Sequence, residues 1–533
     1  MASEARRGQT LWERIFGIDP RALAALRIGL GVALVVDLSS RANLLRAGYT
    51  DAGAVPRAQL DPWLVETIAP FHLLSGGFAW QAVLFGLALL FAILLATGLR
   101  TRLAVVLSWL LLLSLQVRNP FVLNFGDQIL RVCMFWAMFL PLGLRWSLDA
   151  SRRRQPPAAR PVLSIATAAF LLQVCVIYFF TAILKSGADW HGEGTALYYA
   201  LQLDWLVRPA GLWLREHLLL TKLLTWSTLA LEYVGPFLLL APWAPARMLA
   251  VWGFWALHLG ISATLRLGVF PWIDVVVLTA FLPPAFWNGV EAAGRRLRRA
   301  PEAGPPARAA EPVQRGVPTR ALAAGLGLVL AYVLLHNLGS VSEAVRLPEA
   351  TERALRFVGL QQKWLMFTPN TPRDDGWFVM PGRLADGRLV DLSPHGPELT
   401  WQKPARISAD FPSARWGTYM MNQITSSEAN GSLRRAHVRW LCRTWNRTHP
   451  PAERLERVDV FFMHETSPPP GLEPHVGARY LASHECARPG ARPQPGWDIA
   501  VPESGPRPRP LATAPAPQRA GCLLYTSPSP RDS

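Results

Sequence analysis

The chain is short of the residues that build redox and metal sites. Five cysteines and 11 histidines are spread over 533 residues. None falls in a Cys-x-x-Cys or His-x-x-x-His spacing, so no metal site is expected. Cys133 and Cys175 lie in apolar runs and read as inert thiols. Cys442 and Cys486 lie in a polar C-terminal part and could pair if that part sits outside the cytoplasm. Charge is scarce too, at 17% of residues, and acidic charge is the scarcer, with 37 Asp and Glu against 54 Lys and Arg. A net charge of +17 would suit nucleic acid. The basic residues, however, sit in short clusters between apolar runs, as loop arginines of a membrane protein do, which excludes a nucleic-acid partner. A cleavable leader is not expected either. The first apolar run has charged flanks and lacks a small-residue cleavage site.

What the chain does have is apolar length. It is 51% hydrophobic with 22 Trp, and its mean hydropathy is +0.19, high for a soluble protein. Tryptophan is the residue that anchors bilayer interfaces. After a basic amphipathic lead-in over residues 1–20, nine apolar runs follow, each about the length a bilayer demands. They cover residues 21–39, 78–98, 102–118, 127–144, 162–185, 218–241, 247–265, 269–288 and 320–338. Arg27 and Asp37 interrupt the first, and Asp127 and Arg131 the fourth. Arginines such as Arg152, Arg153, Arg154, Arg295 and Arg296 gather in the segments that alternate with the N-terminus. The positive-inside rule then gives a cytoplasmic N-terminus and an extracytoplasmic C-terminal part.

The expected fold class is an all-α polytopic membrane bundle of about nine transmembrane helices, carrying a small α+β extracytoplasmic domain over residues 340–490. Residues 289–319 read as an Arg/Pro-rich cytoplasmic linker between the main bundle, 21–288, and a last span, 320–338. In the C-terminal part, Asp386-Gly387 between two short apolar stretches signals a hairpin. Trp377-Phe-Val-Met380 is a short aromatic run, Val460-Phe-Phe-Met463 reads as a strand, and Leu433 to Leu441 fits helix or strand. Residues 491–533 read as a disordered tail whose last dozen residues share no logic with the rest.

Ionisable groups at bilayer depth cost several kcal/mol unless paired, hydrated or facing a cavity. The candidates are Asp37, Asp127, Arg131, Glu232, His258 and Asp274. Asp127 and Arg131 are spaced to pair on one helix face. Glu232 precedes Gly235-Pro236, which can kink a helix. Lys185 closes the run from Val162 and shares a face with Tyr178 and Thr181 at about 100° per residue. It either snorkels to the headgroups or points into a protein cavity, where lost hydration would free a neutral amine to act as a base. A lysine, a glutamate and a histidine on different spans suggest such a cavity.

Tyr178-Phe-Phe-Thr-Ala-Ile-Leu-Lys185-Ser-Gly-Ala-Asp189-Trp190, then Glu232-Tyr233 and His258, resemble the vitamin K-dependent γ-carboxylase superfamily. More closely, the chain is similar to that superfamily's bacterial branch, the HTTM (horizontally transferred transmembrane) domain proteins. Asn124-Phe-Gly-Asp127 and Trp364-Leu-Met-Phe-Thr-Pro-Asn370 also look like that branch. The likeness covers roughly residues 10–290 and, more loosely, 355–395. It implies a cell (inner) membrane protein using reduced vitamin K, a naphthoquinol, with O2 and CO2 and no metal. In the family's carboxylase a lysine deprotonates the quinol, and oxygen converts it to an epoxide through a strongly basic alkoxide. That alkoxide takes the γ proton of a peptidyl glutamate. Carried over, the base is Lys185, with Tyr178, Asp189, Trp190, Glu232, His258 and Asn124 supporting the cavity.

Two departures bear on this. Where the carboxylase proper carries a histidine near the start of the fourth run, the chain reads Asn124-Phe-Gly-Asp-Gln128. The C-terminal part is also shorter than the family's peptide-docking region. Both favour quinol chemistry over glutamate carboxylation. The expected partner is a membrane lipid or quinone. The alternative is a non-catalytic lipid or quinone carrier, or a scaffold. A transporter would need an inverted repeat, and none is evident.

Overall fold

The computed structural model describes residues 10–62, 65–152, 160–297, 320–393, 395–426 and 431–486. The first nine residues of the lead-in, the linker from 298 to 319 and the tail 491–533 lie outside them. A short helix, Leu11–Phe16, opens with a capping box between Thr10 and Glu13. The helices of the bundle follow as α1 (Pro20–Ala42), α2 (Phe78–Thr97), α3 (Thr101–Arg118), α4 (Phe125–Ala137), α5 (Ile165–Leu184), α6 (Leu218–Leu239), α7 (Ala244–Thr264), α8 (Phe270–Leu278), α9 (Pro284–Leu297) and α10 (Arg320–Gly339). Their starts carry local signals. Asp19 caps α1 ahead of Pro20, and Ser164 forms a capping box with Thr167 at α5. Gly31 lets α1 and α2 close on each other, since a Cβ there would meet the backbone nitrogen of Ala96 at 2.6 Å.

Among the described residues five helices, α1, α2, α3, α5 and α10, are long and apolar enough to cross a membrane, or six if the bent pair of α8 and α9 is one span. The protein is membrane-embedded and mostly helical. All nine apolar runs form helix, but four depart from a straight apolar span. The fourth run yields only 13 residues of helix, and all of α4 except Phe125 and Phe135 is buried. The eighth breaks ahead of Pro284 and turns by 103°, because proline cannot continue the hydrogen-bond ladder of the preceding turn. Its second arm, α9, carries helix on through residue 297, into the first residues of the Arg/Pro-rich segment. α6 and α7 are long enough but diluted by polar groups, Thr221, Lys222, Thr225 and Glu232 in α6 and Arg247 and His258 in α7. α5 lies at the centre, packed on α4, α6 and α10, with 72% of its apolar window buried.

Beyond α10 come α11 (Glu349–Phe357), α12 (Ala414–Tyr419) and α13 (Gly431–Thr448). With them is an antiparallel sheet of β1 (Asp374–Val379), β2 (Pro381–Leu384), β3 (Leu389–Asp391), β4 (Leu455–Thr466) and β5 (His475–Glu485). The hairpin signalled by Asp386-Gly387 joins β2 to β3, with Gly387 at φ +86°. β4 pairs with β5 along one side and with β1 and β2 along the other, in a register that sets Trp377 opposite Met463 and Gly382 opposite Val458. Leu433 to Leu441 is helix, within α13. Cys442 of α13 and Cys486 beyond β5 form a disulfide, Cα to Cα 5.6 Å.

The sheet domain and the bundle share a core. Ala54, Val55 and Val122 from bundle loops pack with Phe378, Phe411 and Tyr419. Charged side chains cross the same boundary. Arg415 of α12 is buried in the bundle and donates to Asp127 at 2.8 Å, to Asp37 and to the Val122 carbonyl at 3.0 Å. The expected Asp127–Arg131 pair does not form. Asp127 is held by Arg41 and Arg415, while Arg131 donates to Gln116 and to the carbonyls of Gly359 and Gln361. Two guanidiniums reaching Asp127 from other elements satisfy it better than one neighbour on its own helix.

Candidate functional site

Lys185 is the residue at the C-terminal end of α5, where the chain leaves the helix at φ −76° and ψ 58°. Its side chain does not snorkel outward. It is 4% exposed and forms an ion pair with Glu232 of α6. Its ammonium stands 4.4 Å from the ring centroid of Trp190, a cation–π contact that gains strength away from water. The Trp190 indole N–H in turn donates to the Phe367 carbonyl at 2.9 Å.

About two turns earlier on the same face, the Tyr178 hydroxyl lies 2.8 Å from His258 Nε2 of α7 and donates to Asp274 Oδ1 of α8 at 3.3 Å. Tyr178 is stacked on Phe254, ring centroids 4.0 Å apart, which fixes the phenol in the plane that reaches both partners. His258 Nδ1 and Asp274 Oδ2 are 3.7 Å apart, beyond hydrogen-bond range, and both are buried with no hydrogen-bond partner. A buried polar atom without a partner is costly unless something fills the need.

These groups line one cavity of about 510 Å³, in the size range of small-molecule sites. Its remaining wall is mostly apolar, from α5, α6, α7, the segment around Leu203 to Leu214, and Met366 and Phe367. Of the residues read from the sequence, Lys185, Tyr178, Trp190, Glu232, His258 and Asn124 line it, and Asp189 does not. Asn124 caps α4, exchanging hydrogen bonds with Asp127. Asp189 anchors a strap, residues 359–373, that runs from α11 to β1 across the bundle. It accepts from the Thr371 amide at 3.2 Å and from Arg373 at 3.0 Å. Gly187 gives the strap room, because a Cβ there would meet Asn370 Oδ1 at 1.9 Å.

Three features escaped the sequence reading. Asp274 was visible as an intramembrane charge but had no spacing tying it to Tyr178. The Trp364 to Asn370 segment stood out with no position assigned to it. Ala414, Thr418 and Met421, which line the cavity from the C-terminal domain, carried no signal at all. Among the described residues no group of three or more His, Cys, Asp or Glu could hold a metal ion.

Fold and site define a polytopic helical membrane protein with a largely apolar cavity whose wall holds a buried ion pair and a buried Tyr-His-Asp cluster. A model of the HTTM domain matches residues 17–287, and the chain belongs to that family. No curated protein and no solved structure matches it. The matched residues end within α9, so they supply the ion pair and the Tyr-His-Asp cluster but neither the strap nor α12.

Proposed function

We propose that the protein is an integral-membrane enzyme acting on a quinol-type lipid, with Lys185 as the base. The observation that carries this is the Lys185–Glu232 pair, buried in the wall of an apolar cavity between membrane helices. Holding two ions out of water costs several kcal/mol per ion before their attraction is counted. Passing the proton from ammonium to carboxylate removes both charges and leaves a neutral amine facing the cavity. That amine can take a proton from a ligand hydroxyl, giving back the ammonium and leaving an oxyanion beside it. Tyr178, His258 and Asp274 offer hydrogen-bonding atoms to a second ligand oxygen, and two of those atoms have no protein partner. In the carboxylase that the family resembles, reduced naphthoquinone with O2 supplies the strong base and CO2 the new carboxyl group. Membership of the HTTM family is consistent with that class of membrane protein.

The orientation that fits is a cytoplasmic N-terminus and an extracytoplasmic sheet domain in the cell (inner) membrane. The Cys442–Cys486 disulfide supports it, since such bonds persist in oxidising compartments. Membranes carrying the protein, given reduced naphthoquinone under oxygen, should form its epoxide, followed by chromatography. Folded protein that forms none would favour the second reading, a quinone or lipid carrier. The mostly apolar wall of the cavity suits that reading equally well.

A further inference from the structure

Four buried charges meet between the bundle and the C-terminal domain, Asp37 and Arg41 of α1, Asp127 of α4 and Arg415 of α12, none more than 4% exposed. Arg41 donates to Asp37 at 2.8 Å, to the Tyr49 hydroxyl at 2.7 Å and to Asp127. Arg415 bonds to both carboxylates. The family-matched residues 17–287 contribute two carboxylates and one guanidinium, which leaves one negative charge over. Arg415 lies outside the match and supplies the missing positive charge. A buried carboxylate stripped of its partner is strongly unfavourable.

The neighbours of Arg415 lead to the cavity on two routes. Asp127, which it holds, exchanges hydrogen bonds with Asn124, and Asn124 lines the cavity. Ala414 and Thr418, on α12 either side of Arg415, and Met421, in the π-helical turn that follows α12, form part of the wall.

We propose that Arg415 is a positioning residue for the Lys185 cavity. It locks α12 into the bundle, so the C-terminal domain is a built-in part of the binding site and the family domain alone does not complete it. The ligand used to test this rests on the quinol reading above.

The test uses the full chain in detergent or nanodiscs. Arg415→Met alone leaves the extra charge buried and should unfold readily. Arg415→Met combined with Asp37→Asn restores the charge balance while removing every bond from α12 to Asp127. Two readouts are taken, binding of a short-chain naphthoquinone by tryptophan quenching and hydrogen exchange over residues 414–424. The double variant should melt near the wild type, bind at least tenfold more weakly and exchange faster over 414–424, and Arg415→Lys should fall between. Wild-type affinity together with wild-type exchange in the double variant would overturn the proposal and leave Arg415 as charge compensation only. If the wild type binds no naphthoquinone, the quinol reading fails separately. Exchange then decides the positioning role, faster exchange upholding it and unchanged exchange overturning it.

Discussion

A lysine at the end of a membrane helix can be solvated alone by reaching for the headgroups, whereas a glutamate inside one needs a partner or a cavity. Lys185 and Glu232 instead face each other inside the protein. Removing one partner of a buried pair strands the other, at a cost of about 3–5 kcal/mol. Glu232→Gln should therefore lower the thermal midpoint of the detergent-solubilised protein sharply. Lys185→Met together with Glu232→Gln should recover most of the loss, because no charge is left buried. Equal losses from the single and the double variant would mean that the pair contributes nothing as a pair. Part of this site was legible from sequence. The helical spacing of Tyr178, Thr181 and Lys185 set them on one face, and Glu232 and His258 stood out as polar groups in apolar runs. Asp274 was not tied to them, because its partner lies 96 residues away in the chain and periodicity reports only neighbours within a helix. Spacing alone misled at Asp127, where a neighbour four residues on gave way to guanidiniums from two other elements.

At the scale of elements, run length located the helices, and the errors sit where a run is apolar without being a straight span. α4 is apolar because it is buried inside the protein, a reason that composition does not distinguish from burial in lipid. The strap is the least legible element, since its order comes from contacts with α4, α5, α10 and the residues after α5. Gly187→Val should push Asn370, and the strap with it, off its seat against residue 187. Overpacking of this kind costs about 1–3 kcal/mol. The expected result is faster hydrogen exchange over residues 366–373 and weaker naphthoquinone binding, and wild-type exchange there would contradict it. Across the sheet domain, the disulfide spans a sequence separation of 44, and Cys442→Ser should cost about 2–4 kcal/mol by loosening α13 from β5. Differential exchange of residues 431–448 reports this directly.

Across the whole molecule, the sheet domain carries groups that hold protons more tightly when folded, Asp375 and His395 among them. Burial, with the Asp204 charge beside it, pushes Asp375 up to about 8. Asp391 and Asp410 together push His395 up to about 9. Asp410 bonds to its Nδ1 at 3.1 Å and Asp391 lies 3.6 Å from its Nε2. The unfolded chain releases these protons near the ordinary values of about 4 and about 6.5. The folded state therefore binds more protons between the two values of each group, and stability falls as pH rises. The Asp375 contribution is lost from about pH 4 to 8 and the His395 contribution from about pH 6.5 to 9. The unfolding midpoint should drop on going from pH 6.5 to 9, and Asp375→Asn should flatten the lower part of that decline. A midpoint that rises over the same range would contradict the assignment. The coupling matters for the site, because Asp375 accepts from the Asp204 amide and Leu203 and Trp205, on either side of Asp204, line the cavity.

The role of Lys185 as a base is tested most directly by Lys185→Arg beside the wild type. Epoxide formation from reduced naphthoquinone and naphthoquinone binding are measured on the same membranes. Guanidinium keeps the charge and the ion pair with Glu232 but does not give up its proton. The account predicts retained binding with epoxide formation down by about 10²–10⁴-fold, the span typical of a lost general base. Epoxide formed at the wild-type rate by the arginine variant would contradict it.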